Sequence, residues 1–225
     1  MSAYYQDDQV TLYHGDCLEV REWLAADVLV TDPPYGRGWK QGDTGKLRGW
    51  ASDNHSGIIG DSDTEARDTA LNMWGSKPAL LFGDLMMSPP AGVKHVLVYD
   101  KGNDAVFTGA VGGYRRNAEA IYLRGSGWGS GLGGRSAIVS TRMSAGGNLA
   151  RITGHPHTKP NDVMEGLLLY APVGVVADPF AGSGSTLIAA RNLGRKAIGV
   201  EIDESYCEIA AKRLAQGCLD FGEAS

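Results

Sequence analysis

Val173-Gly-Val-Val-Ala-Asp178-Pro-Phe-Ala-Gly-Ser-Gly-Ser-Thr186 carries the strongest fold signal in the chain. The apolar run ending at Asp178 reads as a strand, the glycine-rich segment as a turn, and residues 187–193 as a helix. Strand, glycine turn and helix together bring backbone N–H groups up to a ligand at a helix N-terminus. Gly182 and Gly184 are expected to turn tightly and to leave the ligand its space. The spacing departs from the GxGxxG of a pyrophosphate loop, and the lysine of a P-loop is missing. Such a turn suits a ligand that presents a carboxylate, with Ser185 and Thr186 as hydroxyl donors. The next strand, residues 196–201, ends in Glu201, an acid placed to accept hydrogen bonds from both hydroxyls of a ribose. The plainer reading makes the glycines an ordinary βα turn and Glu201 a surface acid.

Working outward, five more short apolar or β-branched runs read as strands: residues 10–14, 27–31, 78–83, 95–100 and 118–123. Helical patterns cover residues 18–24, 63–74, 161–170 and 205–214. Seven strands alternating with helices predict an α/β fold: a doubly wound, mostly parallel sheet covered on both faces. At 225 residues the chain is expected to be a single domain, 1–225. No apolar run is long enough for a membrane span, and the N-terminus lacks a signal-peptide pattern. Cys17, Cys207 and Cys218 are odd in number and unpaired in spacing, which suits a reducing, cytoplasmic setting.

Two segments break the rhythm. Residues 36–60 are polar and carry Trp39 and Trp50, whereas residues 125–154 contain nine glycines with Trp128 among them. The formal net charge is −5, yet residues 101–160 carry eight Lys/Arg against Asp104 and Glu119, a local +6. Residues 34–60 add a local +2. Basic segments on an acidic body can hold a polyanion while the rest stays soluble. Segment 36–60 is therefore expected to be a mobile loop facing nucleic acid, and 125–154 a small recognition insertion. Arg37, Lys40, Lys46, Arg48, Arg115, Arg116, Arg135 and Arg142 are the candidate phosphate contacts. Flexible insertions with an ordinary solvated surface are the bland alternative.

The strand at 27–31 runs into Asp32-Pro33-Pro34-Tyr35. Prolines lack N–H donors and stiffen the chain, leaving carbonyl oxygens fixed. A carboxylate beside the rigid Pro33 carbonyl makes two acceptors aimed one way, which suits an exocyclic NH2 group. Tyr35 offers a face for stacking a base. An exocyclic amine is a poor nucleophile because its lone pair is delocalised, so orientation is the main service a protein can render. A strand-ending turn is the alternative for any short Pro-Pro segment.

Together these pieces resemble the amino-methylating DNA methyltransferases of the permuted β group. The family pattern pairs a catalytic (D/N/S)PP(Y/F) tetrapeptide, here Asp32–Tyr35, with an FxGxG loop, here Phe180-Ala-Gly-Ser-Gly184, in that chain order. His155-Pro-His-Thr-Lys-Pro160 is similar to the group's HPTQKP-type segment, with His157-Thr158 in place of Thr-Gln. Tyr13-His-Gly-Asp16-Cys17 is similar to its early GD(C/A) segment. The resemblance implies a circularly permuted class I methyltransferase fold using S-adenosylmethionine (AdoMet), with chain termini close together. It assigns catalysis to Asp32, Pro33, Pro34 and Tyr35. It assigns AdoMet binding to Asp16, Cys17, His157, Thr158, Lys159, Asp178, Phe180, Ala181, Gly182, Ser183, Gly184, Ser185, Thr186, Glu201 and Ile202.

The implied reaction is methylation of adenine N6 in duplex DNA, with the target base flipped out and the methyl transferred directly in line. Asp in the first tetrapeptide position resembles adenine enzymes more than cytosine-N4 enzymes, which usually carry Ser. Cytosine-N4, RNA and protein methylation stay open at this point, as does a silent nucleic-acid-binding module. No metal is expected, because His155 and His157 have no carboxylate or thiolate at ligand spacing. The resemblance also leaves room for a homodimer, for a separate cognate restriction nuclease, and for a bacterial or phage source.

Overall fold

Residues 2–38, 59–102, 114, 117–129, 136–141 and 158–216 are described by the structure, a computed structural model. Period-two alternation decides how its strands bury their side chains. Along Val28–Thr31, Val28 and Val30 face one apolar layer and Leu29 the other; along Ala79–Gly83, Leu80 and Phe82 oppose Ala79 and Leu81 in the same way. A strand apolar on both faces needs cover on both, which is the parallel-sheet pattern.

Nine strands occur among the described residues: β1 (Tyr5–Gln6), β2 (Val10–His14), β3 (Val28–Thr31), β4 (Ala79–Gly83), β5 (Val93–Asp100), β6 (Ala118–Arg124), β7 (Ile138–Ser140), β8 (Val176–Asp178) and β9 (Ala197–Glu201). They form one sheet in the order β1-β2-β9-β8-β3-β4-β6-β5-β7. The core from β2 to β4 is parallel, β6 runs antiparallel between β4 and β5, and β1 is antiparallel at one edge. All seven expected strands are present. The two extra ones lie at the sheet edges, where short strands leave little apolar signal. β7 falls inside the segment expected to be a glycine-rich insertion, and it pairs with β5 through Val98–Ile138 and Tyr99–Val139. Trp128 likewise belongs to the body, its indole Nε1 donating to the Arg124 carbonyl at 2.8 Å. The described parts of 125–154 are therefore docked on the sheet.

Helices α1 (Glu65–Trp74), α2 (Asn161–Leu168), α3 (Ser185–Asn192) and α4 (Glu204–Gln216) cover the sheet. Helices α2, α3 and α4 line one face, where Met164, Leu168, Leu187 and Leu214 are fully buried. Each such side chain contributes about 1.5–3 kcal/mol. On the other face α1 packs with a 3-10 turn, Glu22–Ala25, and the Trp23 and Trp74 rings stack at 5.8 Å. The amphipathic helix expected at 18–24 is thus only that turn. Lone Trp23 supplies its apolar contact, and its Nε1 donates to the Cys17 carbonyl at 2.9 Å.

The permuted order is visible in the packing. β2, near the start of the chain, pairs in parallel with β9, near its end, from Val10–Ala197 to His14–Glu201. Helix α4 then packs on β2, and Tyr4 lies within electrostatic reach of Glu204, Glu208 and Lys212. β2, near the start of the chain, and the last described helix are neighbours; Met1 and residues 217–225 lie outside the described residues.

Candidate active site

The carboxyl ends of β9, β8, β3 and β4 lie side by side, which is where an open α/β sheet places its ligand. Thr31, at the tip of β3, donates its hydroxyl to Asp178 Oδ1 at the tip of β8, 2.6 Å away. The segments that follow, Asp32–Tyr35 and Phe180–Gly184, therefore start as neighbours despite the long sequence between them. A second link comes from the segment before α2. Thr158 Oγ1 and Ser183 Oγ share a hydrogen bond at 3.1 Å, and Lys159 Nζ donates to Asp32 Oδ2 at 2.5 Å. The glycine bend and the tetrapeptide therefore lie side by side at the sheet's carboxyl edge.

The tetrapeptide sits in a network of charges. Tyr35 donates its hydroxyl to Asp32 Oδ1 at 2.7 Å, so both Asp32 oxygens are engaged. Lys159, almost wholly buried, also pairs with Glu119 Oε2 at 3.2 Å and lies 4.8 Å from the Phe82 ring centroid. Lys101 holds the other Glu119 oxygen. Burial alone would raise the Glu119 carboxyl, but Lys159 and Lys101 outweigh it and bring it down to about 2. Burial would lower the Lys159 ammonium, yet Asp32 and Glu119 hold it above its ordinary value. Burial, followed by the charges of Asp32 and Glu119, pushes the Tyr35 phenol well up. Beyond the tetrapeptide, buried Asp61 accepts from the backbone N–H of Tyr35 at 2.8 Å and of Gly36 at 2.9 Å. The chain is thereby fixed just past the tetrapeptide.

At the glycine bend, Glu201 Oε2 accepts from Gly182 N at 2.7 Å and Oε1 from Asp203 N at 2.8 Å. Both oxygens retain further lone pairs, so the carboxylate can brace the bend and still receive a ribose hydroxyl. Burial raises its pKa. Ile202 follows, 44% exposed, an apolar surface beside the acid. This pairing of an acid with an exposed apolar side chain, next to a bend whose Gly182 is in the left-handed region at φ +50°, fits a nucleoside ligand such as AdoMet. Gly184 has φ +81°, and a Cβ there would sit 3.0 Å from Ala210 of α4. Its lack of a side chain is thus required by helix packing as well as by the turn.

The other residues expected at the site lie in distinct surroundings. Ser185 and Thr186 are buried and face inward: Ser185 Oγ accepts from Arg213 Nη1 at 3.5 Å, and Thr186 hydrogen-bonds the Asp178 carboxylate. The Lys159 ammonium lies in the tetrapeptide network, away from the glycine bend. The Cys17 thiol packs into the apolar layer around Trp23, and burial pushes it up to about 12, so it is an inert core group. Asp16 Oδ1 accepts from Leu18 N at 2.8 Å in the turn after β2. His157 lies outside the described residues, as do Lys40, Lys46, Arg48, Arg115, Arg116, Arg135 and Arg142. Arg37 is described: it pairs with Asp84 at 2.6 Å with its side chain 34% exposed.

Four participants escaped the sequence reading. Glu119 carried a signal, as an acid opening an otherwise apolar strand in a basic segment. Lys101, Asp61 and Arg213 carried none, because isolated charges look alike on a surface and under a loop. Arg213 donates to the Ser183 carbonyl at 2.5 Å and to its Oγ at 3.1 Å, supporting the glycine bend from α4. Burial lowers its pKa to about 10.

Asp178 provides a pH test. Burial raises its carboxyl to about 6, although hydrogen bonds from Thr186, Thr31 and Phe180 oppose the shift. A carboxyl whose folded pKa is raised is disfavoured once ionised, so the folded state loses stability as pH rises from about 4 to 6. Asp178→Asn keeps the acceptor oxygen without the charge. The variant is expected to melt roughly 5 °C above wild type at pH 7.5, with the difference shrinking toward pH 4.5 in calorimetric scans. A gap that stays constant with pH would mean that Asp178 does not titrate in this way.

A family model described as "DNA methylase", of the N6/N4 type, matches residues 93–212. YubD of Escherichia coli (strain K12), whose name suggests a methylase, is 31% identical over 94% of this chain and 93% of its own length. The chain belongs to the N6/N4 DNA methylase family. Members of that family draw the methyl group from AdoMet. The type II methyltransferase M.ScaI of Streptomyces caespitosus is 25% identical over 94% of this chain and 83% of its own. The match to M2.LlaDCHI of Lactococcus lactis subsp. cremoris is 42% identical but local, spanning 28% of this chain and 24% of that methyltransferase. Among solved structures, M1.HpyAVI in complex with SAM has a TM-score of 0.60 at 20% identity, over 91% of this chain and 99% of its own. The cytosine-N4-specific PvuII DNA methyltransferase has a TM-score of 0.63 at 13% identity, over 99% and 90%. Both share the class I methyltransferase fold with the chain. No helix among the described residues is long and apolar enough to cross a membrane.

Proposed function

We propose that this N6/N4 DNA methylase acts on adenine N6 in duplex DNA, taking the target base into the cleft between Asp32–Tyr35 and the glycine bend. The observation that supports this reading is the chain of contacts from Asp32 through Lys159 and Thr158 to Ser183, which sets the two segments side by side. AdoMet, when bound, supplies an electrophilic methyl group on a sulfonium. Glu201 and the backbone of residues 180–184 would hold it, with Asp16 and Ile202 alongside. Asp32 and the Pro33 carbonyl accept the two hydrogens of the target amine and so aim its lone pair. As the nitrogen–methyl bond forms, the carbon–sulfur bond of the sulfonium would break and leave the neutral thioether S-adenosylhomocysteine; the Asp32 carboxylate stabilises the positive charge that develops on the amine until one of its protons passes to solvent. Tyr35 stacks on the base, which has left the duplex because its amine is otherwise engaged in pairing.

An incoming amine must share or displace the ammonium that Lys159 now directs at Asp32. Lys159 stays paired through Glu119 when it yields. In this reading Lys159 acts on the tetrapeptide, whereas the sequence led to the expectation of a cofactor contact. Arg37 and the basic residues of 36–60 and 125–154 contact phosphates in this reading.

Asp as the first tetrapeptide residue favours adenine; the fold itself is shared with a cytosine-N4 enzyme. Expression in a methylation-deficient bacterium, followed by base-resolution sequencing and nucleoside mass analysis, is expected to reveal N6-methyladenine within one short sequence. N4-methylcytosine would reverse the base assignment, and unmodified DNA from a well-expressed, AdoMet-binding protein would overturn the DNA reading.

A further inference from the structure

Large apolar side chains left in water near a catalytic cleft call for an occupant. Leu85 and Met86 are consecutive, 51% and 84% exposed, and follow the carboxyl end of β4. β4 is the parallel neighbour of β3, with Thr31 opposite Leu81. The turn that bears Leu85 and Met86 therefore emerges beside the tetrapeptide, one strand spacing of about 4.8 Å away. The Arg37–Asp84 ion pair ties the two segments together at 2.6 Å.

The turn is braced from several sides. Asp84 Oδ1 accepts from Met86 N at 2.7 Å, and the Asp84 carbonyl from Met87 N at 3.2 Å and Tyr122 Oη at 3.3 Å. Gly83 lies against the Tyr122 ring, where a Cβ would be 2.4 Å from Cε2. Pro89 and Pro90 stiffen the exit. A rigid turn holding two exposed apolar side chains loses little freedom when it inserts into a partner.

We infer that Leu85 and Met86 form a wedge that enters the DNA base stack and fills the space vacated by the flipped target base. Apolar side chains inserted at a base step unstack it, and an unbranched methionine adapts to the gap. The inference rests on the proposed action on duplex DNA, and it commits to the duplex as occupant. A second copy of this chain would cover the same patch without reference to base pairing.

The test uses a short duplex carrying the modified sequence found by sequencing, with the target base either paired or opposite an abasic position. The Leu85→Ala/Met86→Ala protein is expected to lose at least 10-fold in kcat/KM on the paired duplex. Its activity should come within about three-fold of wild type on the abasic duplex, where no pair has to be broken. AdoMet affinity by calorimetry should be unchanged, which also shows that the variant is folded. Equal loss on both duplexes, no loss on either, or a dimer that the substitutions dissociate would overturn the wedge. Absence of methyl transfer by the wild-type protein would instead count against the DNA reading.

Discussion

Asp32→Ala is expected to lower methyl transfer about 100- to 1,000-fold, the range seen when one preorganised electrostatic contact to a developing charge is removed. AdoMet affinity should stay within about three-fold of wild type, because the proposed cofactor contacts lie on β9 and the glycine bend. The fold should tolerate the change: Lys159 retains Glu119 at 3.2 Å, and Tyr35 keeps its longer hydrogen bond to Glu119 Oε2 at 3.4 Å. Truncation therefore removes the acceptor for the target amine without leaving the buried ammonium unpaired. Calorimetric titration with AdoMet, beside labelled-methyl transfer to DNA of a methylation-deficient host, separates the two effects. Retained full transfer would remove Asp32 from the chemistry. Joint loss of transfer and AdoMet binding would assign it to the cofactor side.

The two segments themselves were legible in the sequence because both have strong local grammar. Asp32-Pro33-Pro34-Tyr35 follows an all-buried strand, and Phe180–Gly184 sits between a buried strand and a helix. The parallel core was readable for the same reason: strands buried on both faces appear as uninterrupted apolar runs such as Ala79–Gly83. What stayed hidden depends on contacts distant in sequence. β1 and β7 are edge strands of two and three residues, too short to show a period. Lys159 reads as part of a cofactor segment until the Asp32 and Glu119 carboxylates are seen around it. Thr186 looks like a ligand donor until Asp178 takes its hydroxyl. In each case local chemistry was right about polarity, and tertiary packing decided its direction.

Lys159→Met tests the network more severely than Asp32→Ala, because it removes the cation that pairs with both Asp32 and Glu119. Methionine matches the length of the lysine stem and leaves Asp32 and Glu119 facing each other in a poorly solvated site. Breaking a buried pair in this way costs about 3–5 kcal/mol, which at this chain length corresponds to a melting temperature lower by roughly 10 °C. The pH dependence carries the sign. In wild type the Glu119 carboxyl is held at about 2, below its ordinary 4.5, so its stabilising contribution is complete above 4.5 and disappears as pH falls through 2. Lys159, held above its ordinary value, contributes below 10.5 and loses that contribution only in strong alkali. In the variant only Lys101 remains beside Glu119, the depression shrinks, and acid unfolding should begin at higher pH. Adding Asp32→Asn removes one of the opposed charges and should recover part of the lost melting temperature, though not the methyl transfer. Stability and acid midpoint both unchanged in Lys159→Met would mean that the ammonium does not hold these carboxylates, and Asp32 would then have to be oriented by Tyr35 alone.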